Sequence, residues 1–447
     1  MMNRKTFLKT GALGVAAAIG SRRLVAAPSA PASAPAQAAA ADTAAGPAAL
    51  PACDSAAPEK FWAAVRAQFP VAREQGYAYF NTGGLGPASE RVLATFATFT
   101  RKLQARSETG HAWFDEAREA LARFLGAGKD EVSFTRNATE GNATVAAGLD
   151  LRRGDEVIFE THAHPGGSFP WLSLQKQKGI VTKLFEPSPA GARENLDRIA
   201  ALVTPRTRVI QVSHVTAPTG LLMPVAEIAK FCHDGRSIWF HVDAAQSAGM
   251  FPYSLREIGC DSCAASGHKW LGAPHESGVF YVRKERQGEL PPPLAGAYSG
   301  DVPGETLPGE LVYTTGSVRY EYGTRSAAMA MAVAETVKFQ EEVGRERIAA
   351  RGRALATQVR DGLARIAGVE LLTPPVLGGM AASMVTFRAP RMDHTKLFGL
   401  LLSGHGLRTR PVSEQGLNAL RVSTHLFNTP GECARLVEAV GKILTAS

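Results

Sequence analysis

Downstream of Phe61, short runs of bulky apolar residues alternate with segments whose apolar positions recur every three to four residues, the pattern of strands interleaved with amphipathic helices. Runs of strand length fall at Val132–Thr135, Glu156–Glu160, Val181–Phe185, Val209–Val212, Ile238–Val242, Ser262–Ser266 and Gly278–Val282. Helical spacing fits Glu90–Arg106, Phe114–Leu125, Gly141–Gly148, Gly167–Lys178 and Pro224–Cys232. This alternation predicts an α/β fold with a large, mostly parallel sheet, in which ligands gather beyond the carboxyl ends of the strands. A long helical stretch, Ala327–Glu342 and on through Arg345–Ile366, then leads to short segments at Ser383–Arg388, Lys396–Ser403, Leu407–Pro411 and Leu420–Ser423 and to a last helix from Thr429. That part reads as a smaller α+β lobe, giving a large domain over residues 59–326 and a C-terminal domain over 327–447.

The beginning of the chain follows another pattern. Met2 to Lys9 is basic, Gly11 to Gly20 is apolar, and Ala26-Ala27 offers a small-residue cleavage site, so residues 1–27 have the layout of a signal peptide. Arg4-Lys5-Thr6-Phe7-Leu8-Lys9 resembles a twin-arginine (Tat) export signal, with Lys5 in place of the second arginine. An exported or periplasmic location is the expectation, and a cytoplasmic one the alternative. Residues 28–58, almost entirely Ala, Pro, Ser and Gly, read as a disordered linker. No other segment has the roughly 18 uninterrupted apolar residues of a membrane span.

At 447 residues, 45% hydrophobic and 20% charged, the chain has enough apolar material for a substantial core. Its net charge of +8 is spread without basic runs, so a nucleic-acid surface is not expected. The five cysteines, Cys53, Cys232, Cys260, Cys263 and Cys433, imply no disulfide framework. Cys260 and Cys263 form a C-x-x-C pair without a second ligand pair, and His162 and His164 lack acidic or thiol neighbours, so no metal site is expected.

The residues at the strand ends carry the chemistry. Ile238–Val242 ends in Asp243, and the small-residue strand Ser262–Ala265 ends in Ser266-Gly267-His268-Lys269, which places a carboxylate and an amine at one crevice. A buried lysine is a nucleophile towards an aldehyde, and a carboxylate can keep a pyridine nitrogen protonated. An Asp–Lys ion pair would look the same in isolation. After Val132–Thr135, the run Asn137-Ala138-Thr139-Glu140-Gly141-Asn142 opens a helix whose amides suit a phosphate, although Thr139 could equally be a plain N-cap.

Phe240-His241-Val242-Asp243-Ala244-Ala245-Gln246-Ser247, followed by Ser266-Gly267-His268-Lys269, resembles the class V aminotransferase family of fold-type I enzymes dependent on pyridoxal 5′-phosphate (PLP), which includes cysteine desulfurases and isopenicillin N epimerase. The resemblance runs from about Tyr77 to the C-terminus. It implies that Lys269 forms the Schiff base and moves the α-proton, that Asp243 pairs with the pyridinium nitrogen, and that Gln246 donates to the phenolic oxygen. By the same resemblance Ala138, Thr139, Ser266 and His268 hold the phosphate, while Gly323 and Thr324 serve the site of a second subunit in a homodimer. His162 is expected to stack on the ring, with His164 as rival. Asn81, in the loop Tyr79–Gly84, faces the substrate. Arg410 is expected to bind the substrate carboxylate, with Arg408 facing solvent and Arg421 a secondary candidate.

Desulfurases of the family place a nucleophilic cysteine near this arginine, whereas Pro411-Val412-Ser413-Glu414 has none. The implied function is therefore α-carbon chemistry on an amino-acid-like substrate of aminotransferase or epimerase type. A carbon–sulfur lyase is the alternative, and a non-catalytic PLP-fold binding protein a third. A nucleotide-binding α/β protein is excluded, because no glycine-rich phosphate fingerprint follows a strand.

Overall fold

The computed structural model describes residues 49–302, 309–375 and 381–446. The signal-peptide segment 1–27 and most of the linker, 28–48, lie outside the described residues. At residues 49–57 the chain has no regular structure, yet Leu50 and Cys53 pack on a cluster that includes Phe61, Trp62, Phe69 and Phe427. The predicted linker therefore extends into packed chain.

Seven strands form the main sheet, in the order Val132–Thr135, Gly278–Val282, Ser262–Ser266, Trp239–Asp243, Thr207–Ser213, Glu156–Glu160, Val181–Phe185. Six of them run in one direction, and Gly278–Val282 runs against them. The interior strands are buried at every position but Arg208, which is why they read as apolar runs, while the edge strand Val181–Phe185 exposes Val181 and Leu184 and buries only Phe185. Helices cover both faces. On one, His111–Leu125, Val225–His233 and Ala327–Val343 supply Leu121, Ile228 and Val333 to the largest apolar cluster. On the other, Ala138–Gly148 and Pro165–Lys178 supply Val145 and Trp171. The first of these is built from small residues because it lies close to the sheet: a methyl group on Gly141 would come within 2.8 Å of the Ala264 side chain.

The predicted boundary at residue 326 divides the chain differently from its packing. Gly344, at φ 92°, interrupts the long helical stretch, and the helix before it contributes Ala330, Val333 and Val337 to the core of the main sheet. Past that break, Glu370–Leu371, Met384–Arg388, Ala419–Ser423 and Arg410–Val412 form a four-stranded antiparallel sheet, in that order. It shares an apolar cluster with Arg345–Leu363, His394–His405 and Pro430–Thr445. The early strand Ala78–Tyr79 joins this lobe, pairing in parallel with Leu407–Arg408, and Asn81 bridges to Ser423. The loop after it, Thr82–Gly86, is thereby strung between the two lobes beside Lys269.

Candidate active site

A cavity of about 280 Å³ opens at the carboxyl ends of the parallel strands. Asn137, Ala138, Thr139 and Asn142 reach it from the start of one helix, His164 and Gly166 from the start of another, and Asp243, Gln246, Ser266, His268 and Lys269 from strand ends. Gly83 and Gly84, with Arg410 and Arg421 of the smaller lobe, close it.

Lys269 lies in a wide turn, Gly267–Leu271, at φ −116° and ψ −114°, outside helical geometry. The turn is held from several sides. Gly86 N–H donates to the His268 carbonyl at 2.8 Å, Gln340 Nε2 donates to the Trp270 and Leu271 carbonyls at 2.9 and 3.0 Å, and His425 Nε2 donates to Trp270 O at 2.9 Å. Burial drops His425 to about 4, so the ring is a neutral donor. Burial also lowers the Lys269 amine to about 8; Asp243 opposes this, and the Arg421 and Arg410 charges add to it.

The Asp243 carboxylate accepts from Ala245 N–H and Asn142 Nδ2, each at 2.9 Å. Gln246 is fixed by a donor-only partner: Trp270 Nε1 donates to its Oε1 at 2.8 Å, so its amide nitrogen faces the other way and donates to Gly83 O at 2.8 Å. Ser266 Oγ accepts a long bond from Ala138 N–H at 3.3 Å, and His268, lowered to about 4 chiefly by burial, leaves Nδ1 buried without a partner.

The structure separates the two histidines. His162 faces away from the cavity, its Nε2 3.1 Å from Glu186 and its Nδ1 3.2 Å from Thr219, so the expectation that it stacks on a ring is corrected. The reason is a tight turn, closed by Ala163 N–H to Glu160 O, which brings His164 round to the cavity as helix N-cap, its Nδ1 accepting from Gly166 N–H. Burial, then the Lys269 charge, lowers His164 from its ordinary value.

The arginines are likewise resolved by packing. Arg408 does not line the cavity, whereas Arg410 lines it and pairs with Glu414. Arg421 is 1% exposed and, among the described residues, faces no carboxylate within salt-bridge reach: Nη1 donates to Ala217 O at 2.7 Å, Nη2 is 3.5 Å from Asn81 Oδ1, and Nε has no partner. Burial and Arg410 lower it to about 9 against the pull of Glu414. Asn81 thus steadies a guanidinium. Gly323 and Thr324 line a different cavity, of about 350 Å³, with His111, Phe114 and Tyr298. Sequence reading gave Asn142 no role, although it lies four residues after Ala138 and so on the same helical face.

Among the described residues no His, Cys, Asp or Glu cluster could hold a metal, and no helix is long and apolar enough to cross a membrane. The cavity's chemistry matches a phosphorylated aromatic aldehyde instead. Partnerless donors at His268 Nδ1, Arg410 Nη1 and Arg421 Nε suit anionic groups, a lysine of lowered basicity suits an aldehyde, and a carboxylate that already accepts two N–H bonds suits a ring N–H. An open, mostly parallel sheet with this lysine and aspartate at its strand ends defines a fold-type I PLP enzyme.

The Aminotransferase class-V family model matches residues 88–435, and the chain belongs to that family, whose cofactor is PLP. It is 30% identical over 404 residues, 86% of this chain and 98% of the relative, to isopenicillin N epimerase from Amycolatopsis lactamdurans. To a probable cysteine desulfurase from Methanothermobacter thermautotrophicus it is 27% identical, over 85% of this chain and 97% of that one. The structure of a cysteine desulfurase from Thermococcus onnurineus matches with a TM-score of 0.77 at 25% identity, covering 87% of this chain and 98% of that one.

Proposed function

We propose that this chain moves the α-proton of an amino acid in an aminotransferase or epimerase reaction. One observation carries the reading: Lys269, Asp243 and the carboxylate-free Arg421 meet in a single cavity to which no cysteine contributes. Four of the five cysteines are buried elsewhere, and Cys53 packs near Phe61.

PLP supplies the electron sink that stabilises charge at the α-carbon. The chain's own residues do the rest. Lys269 would hold the aldehyde, and its amine is the group placed to move the α-proton. Asp243 accepts the ring N–H, and the second N–H of Gln246 is available to the phenolic oxygen. His164 covers the ring. Ala138, Thr139, Ser266 and His268 surround the phosphate, and Arg421, with Arg410, takes the substrate carboxylate. Gly323 and Thr324 complete the site of a second subunit in a homodimer, and residues 1–27 direct export.

Carbon–sulfur cleavage is the second reading, favoured by the relatives named as cysteine desulfurases. Without a thiol on the cavity wall, sulfur would leave as a free species. Incubating the loaded enzyme with L- and D-amino acids in D₂O tests the proposal. Exchange of the α-proton with loss of chirality marks an epimerase, oxo-acid formation an aminotransferase, and release of sulfide from cysteine, or of a persulfide from cystine, the lyase. Neither exchange nor any of these products with any amino acid refutes all three.

A further inference from the structure

Behind Asp243 a buried hydrogen-bond chain runs along the sheet face beneath the helix Ala138–Gly148, and its directions follow from its chemistry. Asn142 Nδ2 meets two obligate acceptors, Asp243 Oδ2 at 2.9 Å and Gly166 O at 3.1 Å, which fixes its amide orientation. Its Oδ1 then accepts, so His241 Nε2, 2.8 Å away, carries a hydrogen. Burial lowers His241 to about 4, leaving a neutral ring whose Nδ1 must accept. Ser262 Oγ, at 2.8 Å from that nitrogen, donates to it and receives in turn the indole N–H of Trp239, also at 2.8 Å. Every hydrogen in the series Trp239, Ser262, His241, Asn142 points towards Asp243. All four residues are buried, and bonds aligned head to tail in such surroundings polarise one another.

Asn142 is also the junction between the two sides of the cavity. Its other N–H holds the carbonyl of Gly166, in the turn whose amide fixes His164. The helix Pro165–Lys178 is tied down again by Gln211, which donates to Gly167 O at 3.0 Å and accepts from Trp171 Nε1 at 2.8 Å. A methyl group on Gly167 would come within 3.0 Å of Asp243 Oδ2, so carboxylate and helix start have no slack between them.

We propose that Asn142 is a positioning residue for PLP chemistry, and that the His241–Ser262–Trp239 series behind it fixes its amide so that Asp243 acts only as an acceptor while His164 is held at a set separation from it. The proposal rests on the reading of Asp243 as partner of the ring nitrogen, and the experiment separates the two. Enzyme loaded with ring-¹⁵N PLP is prepared as wild type, Asp243→Asn, Asn142→Leu, His241→Leu and His241→Gln. Glutamine can present an N–H where His241 Nε2 stands, so it is the conservative rescue.

The expected ¹⁵N signal is that of a protonated ring in wild type and His241→Gln. It moves towards unprotonated pyridine in Asp243→Asn and Asn142→Leu, and part of the way in His241→Leu. PLP affinity and the α-proton exchange rate should fall on the order of tenfold or more in Asn142→Leu, the usual scale for partners that orient a functional group. Should Asp243→Asn leave the signal unmoved, the assignment of Asp243 falls and the relay with it. A signal that moves in Asp243→Asn but not in Asn142→Leu overturns the relay alone. Equal losses in both His241 variants would mean the ring is packing and not a donor, which also overturns it.

Discussion

Arg421 is a buried cation with no carboxylate of the described residues in salt-bridge reach, and removing it should raise stability while lowering substrate affinity. Burial lowers the guanidinium from its ordinary range to about 9. The unfolded chain therefore holds that proton more tightly than the folded one. The charge weakens the fold at every pH below about 9, and this cost fades only as pH rises from about 9 towards the guanidinium's ordinary range. At ~1.36 kcal/mol per pH unit, the displacement bounds the cost at about 5 kcal/mol. The interior responds to charge more strongly than a dry medium would, and substitution strips the Ala217 carbonyl of its donor, a loss of about 1 kcal/mol.

A net gain of about 2 kcal/mol is expected for Arg421→Met, a side chain long enough to fill most of the space. With about 2.1 cal/mol/K of unfolding entropy per residue, that is a rise in Tm of about 2 °C for a chain of this size. Affinity should move the other way. Losing a charge-assisted pair with a carboxylate costs about 3 kcal/mol, on the order of a hundredfold in Kd. Calorimetry of loaded enzyme without substrate, and titration with the amino acid that shifts its visible absorption, measure both. A Tm lowered by several degrees with Kd unchanged would refute the reasoning and make Arg421 a strut for Ala217, leaving the carboxylate to Arg410.

The Lys269 amine, lowered to about 8, is a free nucleophile only above that pH; capture of PLP by the apoenzyme should accelerate as pH rises through about 8 and level off beyond, and stopped-flow absorbance giving a flat profile from pH 7 to about 9.5 would count against this. Lys269→Ala should abolish the Schiff-base absorbance, near roughly 410 to 430 nm, and α-proton exchange with it. A methyl group on Gly86 would lie 1.7 Å from the Lys269 carbonyl oxygen, so Gly86→Ala should cost about 3 kcal/mol and slow PLP capture, read by thermal unfolding and absorbance. His164→Ala should weaken PLP binding roughly tenfold by removing the ring's cover, while His162→Ala should lower Tm and leave PLP binding unchanged; the reverse pattern would restore His162 as the ring partner.

Residues whose placement depends on strand ends were the ones the sequence located well. Asp243 and Lys269 each follow a run that is buried on both faces, and in a parallel sheet the position after such a run opens on the crevice whatever the distant packing. The helix after Thr135 was legible for the same reason, although it starts at Ala138, with Asn137 and not Thr139 as its N-cap, rather than at Gly141. His162 and His164 were indistinguishable, since their side chains are sorted by one backbone hydrogen bond in the turn after Glu160 and by a pairing with Glu186 from the next strand's end.

Arg421 and the lobe boundary show a second kind of opacity. Alternation along Ala419–Ser423 puts Arg421 and Ser423 on one face, but only the packing of Asn81 and Gly83 against that face tells that it closes a cavity. Phe61, Tyr79 and Phe427 form one cluster across some 360 positions of chain, and no local period records such a contact. The chemistry therefore rests on two parts of different legibility. Amine and carboxylate are set by the sheet, whereas the guanidinium is delivered by a lobe that the N-terminal strand helps to build. Loosening that strand from Leu407–Arg408 should disturb substrate binding before it disturbs PLP, because Arg421 and its neighbour Asn81 depend on it and Asp243 does not.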